Sequence, residues 1–139
     1  MNELARLAVA RYFSLRTFRK SGAAVDTPVW FAEVARPADA ITFAVFSAGN
    51  AGKVKRLRVS DRAQVARCDI KGGLQGEWLD ASARLVADDD AIQQALTALR
   101  RKYGWQMHLA DIGARLTGKF NKRAYLHVIV ASAADGSSI

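Results

Sequence analysis

The sequence predicts a mainly β protein, a small antiparallel barrel of six strands with helices at its side. Three observations predict it. Residues 11–47 alternate apolar and polar side chains between short turns, the period-two signature of a three-stranded meander. Further strand-like runs at 63–69, 77–86 and 123–131 bring the strands to six. The longest stretch of helical period comes late, as a pair of segments at 88–103 and 105–116.

The elements follow in order. Asn2 or a neighbour starts a short helix through Val9, with Leu4, Leu7 and Ala8 on one side. From Arg11 the period becomes two, with Phe13, Leu15 and Thr17 opposing Tyr12, Ser14, Arg16 and Phe18. Lys20-Ser21-Gly22 turns the chain into a second strand, 24–35, where Pro28 calls for an edge position or a local break in pairing. After the Arg36–Asp39 turn, residues 41–47 form an apolar third strand. Residues 53–59 read as one or two helical turns, and the fourth strand follows. Lys71-Gly72-Gly73 breaks it, and the fifth strand lines one face with Leu79, Ala81, Ala83 and Leu85. Asp88-Asp89-Asp90 and Arg100-Arg101-Lys102 set charges of the right sign at the two ends of the next helix, and Ile92, Ala95, Leu96 and Leu99 form its apolar stripe. Gly104 stops it. The second helix of the pair carries Leu109, Ile112 and Leu116. One domain, 1–132, is expected, with the small polar tail 133–139 frayed.

Composition bounds the function. Half the 139 residues are hydrophobic and 24% are charged, enough apolar material for a core. No run is long enough for a transmembrane helix, and the Leu7–Ala10 stretch between Arg6 and Arg11 is too short for a signal peptide. A single cysteine, Cys68, excludes an intramolecular disulfide and suits a cytoplasmic protein. With two histidines beside it, a usual structural zinc site is also excluded. The net charge is +8, and it is uneven: residues 1–70 hold 12 Lys/Arg against 6 Asp/Glu, residues 71–139 hold 9 against 7. Such a field attracts anions.

The most informative segment is Ser47-Ala48-Gly49-Asn50-Ala51-Gly52-Lys53-Val54-Lys55-Arg56-Leu57-Arg58. A small, flexible turn follows an apolar strand, and four cations then fall within six residues. Backbone N–H groups and side-chain cations in that order make an anion cradle. Val54 and Leu57, three apart, anchor the helix to the core with cations on both flanks. The spacing is not that of a Walker loop, since Gly49 and Gly52 are too close and Val54 replaces the metal-binding hydroxyl. Nor is it a dinucleotide-binding G-x-G-x-x-G. The competing reading of this segment is a solvated basic helix.

Taken together, Leu15-Arg16-Thr17-Phe18-Arg19, Gly22, Thr27-Pro28-Val29-Trp30-Phe31, Gly52-Lys53-Val54-Lys55-Arg56-Leu57-Arg58, Cys68-Asp69, Gly76, Ala83-Arg84-Leu85 and Lys102-Tyr103-Gly104-Trp105 resemble the pyridoxamine-phosphate-oxidase-like split-barrel superfamily. Within it the chain is most similar to the branch of probable coenzyme F420-dependent oxidoreductases. The resemblance covers roughly residues 8 to 130. It implies a six-stranded antiparallel split β-barrel, homodimeric, with a deazaflavin (coenzyme F420) or FMN in a groove at the subunit interface and a small organic molecule as substrate. By position, Lys53 and Arg56 would contact the cofactor phosphate, with Lys55 and Arg58 as alternates. Ser47 would offer a hydroxyl nearby. Leu15, Arg16 and Thr17 would run beside the ring system, and Pro28, Val29 and Trp30 would lie against it. Tyr103 and Trp105 would help form the interface or the substrate pocket. Arg16 and Arg19 would be sources of positive charge near the reduced ring. The sequence departs from the oxidase proper: the R-x-H segment that binds the substrate phosphate has no counterpart, Tyr125-Leu126-His127 being the nearest.

A hydride carrier supplies its own chemistry, which accounts for the lack of a catalytic triad or carboxylate dyad. Other residues have plainer readings. Trp30 and Trp78 fit packing, His108 a structural or interfacial place, and Cys68 a small buried hydrophobe. His127 sits mid-strand. Lys71 and Arg100 to Lys102 read as solvated. The alternatives are an FMN reductase- or oxidase-like split barrel, a non-catalytic flavin or haem binder, and a basic nucleic-acid-binding module. A sequence pI near 10.2 supports the last. Aromatics confined to strands, with no nucleic-acid motif, argue against it.

Overall fold

A computed structural model describes residues 2–37, 39–48, 52–116 and 123–131. In chain order the elements are α1 (Glu3–Ala8), β1 (Tyr12–Phe18), β2 (Ala24–Ala35), β3 (Ala40–Ala48), α2 (Gly52–Leu57), β4 (Arg62–Cys68), β5 (Leu79–Val86), α3 (Asp89–Tyr103), α4 (Trp105–Leu116) and β6 (Arg123–Ala131). The six strands close into an antiparallel barrel in the order β1-β2-β3-β6-β5-β4, with β4 pairing back onto β1.

Alternation builds the barrel. Phe13, Leu15 and Thr17 of β1 point inward, and the first two join Val29, Phe31, Phe43, Val45, Val65, Leu126 and Val128 in one apolar core. Phe13 stacks on Phe31 at 4.2 Å, and Phe43 meets both edge-on. The meander expected over 11–47 is present, and Pro28 has the local edge it needs. Residues 24–30 of β2 pair with β1, whereas pairing with β3 is made by 31–35. Pro28 therefore sits in the half of β2 outside the β3 ladder.

Helices close the two ends of the barrel. At one end Asn2 caps α1 by accepting from Ala5 N–H at 2.8 Å, and Leu4 and Leu7 enter the core. At the other, where β1 and β3 finish and β4 starts, α2 inserts Leu57. The strand β5 starts at Leu79, later than the sequence pattern implied. A tight turn, with Asp69 accepting from Lys71 and Gly73 N–H, and a bridge from Cys68 to Leu74 use the intervening residues.

The outer face of β2, β3 and β6 is covered by α3, whose Ala95, Leu96, Leu99 and Tyr103 pack on Ala32, Ala44 and Tyr125. Asp88 caps α3, and Gly104 ends it at φ 58°, ψ −125°, a positive-φ conformation that glycine adopts without a Cβ clash. Two expectations for this region need correcting. The stripe Leu109, Ile112 and Leu116 of α4 faces solvent, while Met107 and the carboxylate of Asp111 face inward. The cause is Asp111 itself, which accepts from Arg100 Nε at 3.0 Å and from Arg123 Nη1 at 2.7 Å and so fixes the rotation of the helix. Nor is the Arg100–Lys102 run wholly solvated. Arg100 holds Asp111, and Lys102 turns its ammonium onto the Phe31 ring, 3.3 Å from the centroid. Successive helical residues are 100° apart, so a linear run of three cations covers most of the helix circumference. Among the described residues no helix is long and apolar enough to cross a membrane.

Candidate anion site at the α2 end of the barrel

The helix α2 is short, and its position is set by Val54 and Leu57, both buried. That burial sorts its cations. Lys53 and Arg56, three residues apart, are half-buried beside the apolar stripe, while Lys55 and Arg58 are exposed. Arg56 is held by the barrel, with its Nε donating to Thr17 Oγ1 at 2.7 Å. Its guanidinium folds back against Gly52, where a Cβ would stand 2.8 Å from Nη1. The lack of a side chain at Gly52 is what allows this conformation. Burial, and then the neighbouring Arg56, push the Lys53 amine below its ordinary value. Among the described residues no carboxylate pairs with Lys53, Lys55 or Arg56.

A cleft of about 400 Å³ opens beside Arg56, between α2, the β1–β2 hairpin and the start of β4. Its walls include Thr17, Arg19, Lys20, Lys55, Arg56 and Arg62, and no acidic residue lines it. Arg62 lies flat on the Phe18 ring, 3.8 Å from the centroid, which fixes its direction without neutralising it. Arg19, Lys20, Lys55, Arg56 and Arg62 therefore surround a cleft with no acidic wall, with Lys53 next to Arg56 outside its lining, an environment that attracts anions.

The residues singled out in the sequence divide into those at this end and those elsewhere. Thr17, Lys53, Lys55 and Arg56 are together. Ser47, buried near the end of β3, lies at the same end of the barrel. Gly49, Asn50 and Ala51 lie outside the described residues. Leu15 and Val29 are in the core. Arg16 points outward, bonded through Nε to Asp26 at 2.7 Å and stacked on Trp78 at 3.8 Å. Pro28 neighbours Gly72 in the β4–β5 turn. Trp30 pairs with Tyr12 at the opposite end of β1 from Thr17, five residues or about 17 Å away. There it stacks on Tyr103 at 4.6 Å and meets Phe46 edge-on. Tyr103 is buried, and its hydroxyl accepts from Phe31 N–H at 2.9 Å and donates toward Arg11 O at 2.6 Å. Its hydroxyl thus ties the chain just before β1 to Phe31 of β2. Trp105 is exposed.

Cys68 is buried, as expected of a small hydrophobe, and burial together with Asp69 pushes its thiol up to about 11, which removes it as a neutral-pH nucleophile. His127 lies on the outer side of β6 between Leu126 and Val128, which enter the core; burial and Arg84 lower its pKa. His108 is exposed. Sequence reasoning missed the Thr17–Arg56 bond, which joins positions 39 apart, and the part played by Lys20 and Arg62. The signal for Lys20 was its place in the hairpin that faces α2.

No protein-family model matches the chain. No curated protein matches it either. Solved structures do. The haem-storage protein HutZ from Vibrio cholerae superposes with a TM-score of 0.62 at 13% identity, over 94% of this chain and 96% of that one. An FAD-binding protein from Mesorhizobium loti gives 0.57 at 14%, over 94% and 92%. A putative pyridoxamine 5'-phosphate oxidase from Listeria innocua gives 0.55 at 12%, over 92% and 93%. The fold is the pyridoxamine-phosphate-oxidase-like split barrel. In this split barrel the cationic cleft lies beside α2, and the Trp30–Tyr103 stack lies on the outer face of the barrel with the residues packed under α3.

Proposed function

We propose that this split barrel is an oxidoreductase that binds a flavin-type cofactor by its phosphate at α2 and acts on a small organic substrate. The observation that carries the reading is the pair Lys53–Arg56. Arg56 is positioned by Thr17 and by the bare backbone of Gly52, Lys53 is desolvated beside it, and neither has a carboxylate partner among the described residues. No carboxylate among the described residues offsets their charge, so an anion arriving there would gain charge-assisted hydrogen bonds. Lys53 and Arg56 would hold the phosphate with Lys55 at the rim, and Ser47 would add a hydroxyl. When bound, the cofactor supplies hydride transfer, and the protein supplies orientation and charge.

Of the two cofactors, we take coenzyme F420 first and FMN as the alternative. The cleft beside Arg56 also presents Arg19, Lys20 and Arg62, more positive charge than one phosphate needs, and the deazaflavin coenzyme carries a further acidic tail. The homodimer belongs to the same proposal. Trp30 pairs with Tyr12 at the start of β1 and Arg56 bonds Thr17 near its end, so a groove using both residue sets at close quarters would be completed by a second protomer.

Absorbance of the purified protein gives the first test, since bound flavin shows blue-region bands and haem a Soret band. The colourless protein is then titrated with FMN and with coenzyme F420. Replacing Lys53 or Arg56 by Ala should weaken binding by about 1.5–3 kcal/mol for each charge-assisted contact. Unchanged affinity in both variants moves the phosphate elsewhere, and binding of neither cofactor removes the oxidoreductase reading.

A further inference from the structure

The cations around the cleft beside α2 outnumber what a single phosphate takes up. Arg19, Lys20, Lys55, Arg56 and Arg62 line it, and none of the five pairs with a carboxylate among the described residues. Elsewhere the chain does neutralise its arginines: Arg6, Arg16, Arg36, Arg67, Arg100 and Arg123 each meet an Asp or Glu at 2.6–3.9 Å. Two guanidiniums of the cleft are directed by neutral contacts from different elements. Arg56, on α2, donates to Thr17 at 2.7 Å. Arg62, at the start of β4, lies over the Phe18 ring at 3.8 Å. Stacking of this kind occupies the face of a guanidinium and leaves the donors at its edge available.

Lys53 is outside the lining, so a phosphate between Lys53 and Arg56 leaves Arg19, Lys20 and Arg62 around the cleft without counter-charge. Phe18, Leu57 and Val59 give the same space apolar walls, and Val59 is 76% exposed. We infer that Arg62 is the specificity-determining residue of a second anion subsite. The cleft selects phosphate-bearing organic molecules that carry a second anionic group, a carboxylate or another phosphate, over those that carry one phosphate alone. Its volume of about 400 Å³ fits a small molecule. The apolar walls favour an organic body between the two charges, since an inorganic polyphosphate would leave them uncovered. This inference rests on the phosphate reading of α2 and deepens it by naming the class of ligand.

The test is calorimetric titration of the full chain at about 150 mM salt, where charges more than about 8 Å apart are largely screened. The probes are 6-phosphonohexanoate and hexylphosphonate, which share a phosphonate and a six-carbon chain; only the first ends in a carboxylate. They are titrated into the wild type, Arg62→Gln and Arg36→Gln, with circular dichroism and thermal melting to verify folding. Arg62 is exposed, so folding should survive its replacement. The wild type and Arg36→Gln should bind 6-phosphonohexanoate at least about tenfold more tightly than hexylphosphonate, and Arg62→Gln less than about threefold more tightly. Equal affinity of the wild type for both probes, or a preference that survives in Arg62→Gln, overturns the second subsite and leaves the phosphate reading standing. A preference lost equally in Arg36→Gln assigns it to the diffuse field of the protein and also overturns the subsite. Binding of neither probe to the wild type overturns the subsite and the phosphate reading together.

Discussion

Two groups of cations in this molecule obey opposite rules. At the junction of α3, α4 and β6, Arg100 and Arg123 converge on one carboxylate, Asp111, whose side chain is 6% exposed. At α2, Lys53 and Arg56 converge on no carboxylate among the described residues, and a cleft lies alongside. The first group is closed by a shared carboxylate and fixes the rotation of a helix. The second is held in place by neutral contacts, a threonine hydroxyl and a glycine backbone, and is left open. On the proposed function, the difference separates a cation that serves the fold from one that would serve a ligand, which residue type and charge count alone do not.

The largest effect should come from the closed group. Burial pushes the Asp111 carboxyl up, and the hydrogen bonds from Arg123 and Arg100 outweigh it, so its pKa lies below the ordinary value. Asp111→Ala leaves Arg123, 7% exposed, facing Arg100, and should cost about 3–5 kcal/mol in urea unfolding. A cost below about 1 kcal/mol would mean that the clamp does not anchor α4. Because the folded-state pKa is depressed, the stabilisation from Asp111 is fully present above the unfolded value. It is lost as pH falls through the folded one, so the wild type should lose more stability below about pH 4 than Asp111→Asn.

Lys102 tests the comparison from between the two groups. Burial, and then Arg11, lower its amine to about 7, and its Nζ makes no hydrogen bond among the described residues. The contact with the Phe31 ring offsets part of the cost. The folded pKa lies below the unfolded one, so the destabilisation is full below about pH 7 and is relieved as pH rises toward 10.5. The wild-type melting temperature, measured relative to Lys102→Met, should therefore climb between pH 7 and pH 10. A constant difference would show that the ammonium is solvated.

The smallest effect, and the most selective, is expected at Gly52. A methyl group there displaces the end of a flexible guanidinium, so Gly52→Ala should leave stability unchanged or raise it by up to about 1 kcal/mol through helix propensity. Affinity for the phosphate ligand should fall, because Arg56 is driven from its place. Loss of stability with affinity intact would reverse the roles given to this glycine.

Much of the barrel was legible because its signals are local. Period two in β1 put Phe13, Leu15 and Thr17 inside, Pro28 marked the half of β2 outside the β3 ladder, and Val54 and Leu57 marked the buried face of α2. What sequence reading lost depends on partners far along the chain or on rotation about a helix. The outward seam of α4 depends on Asp111 meeting Arg100 and Arg123, 11 and 12 residues away in other elements. Lys102 looked solvated inside a basic run because a linear reading hides which of three successive residues faces the barrel. Arg56 could be named as a cation from the sequence, but its positioning by Thr17 could not.

The central claim, that the open cations of α2 are a phosphate site, is tested most directly by calorimetric titration. FMN and coenzyme F420 are each titrated into the wild type, into Lys53→Ala/Arg56→Ala, and into Arg36→Ala, which removes an exposed cation already paired with Glu33. The account predicts that at least one cofactor binds the wild type, that Arg36→Ala binds it equally, and that the double variant is weaker by about a hundredfold or more. Equal affinity in the double variant and the wild type, or no binding of either cofactor to the wild type, would contradict it.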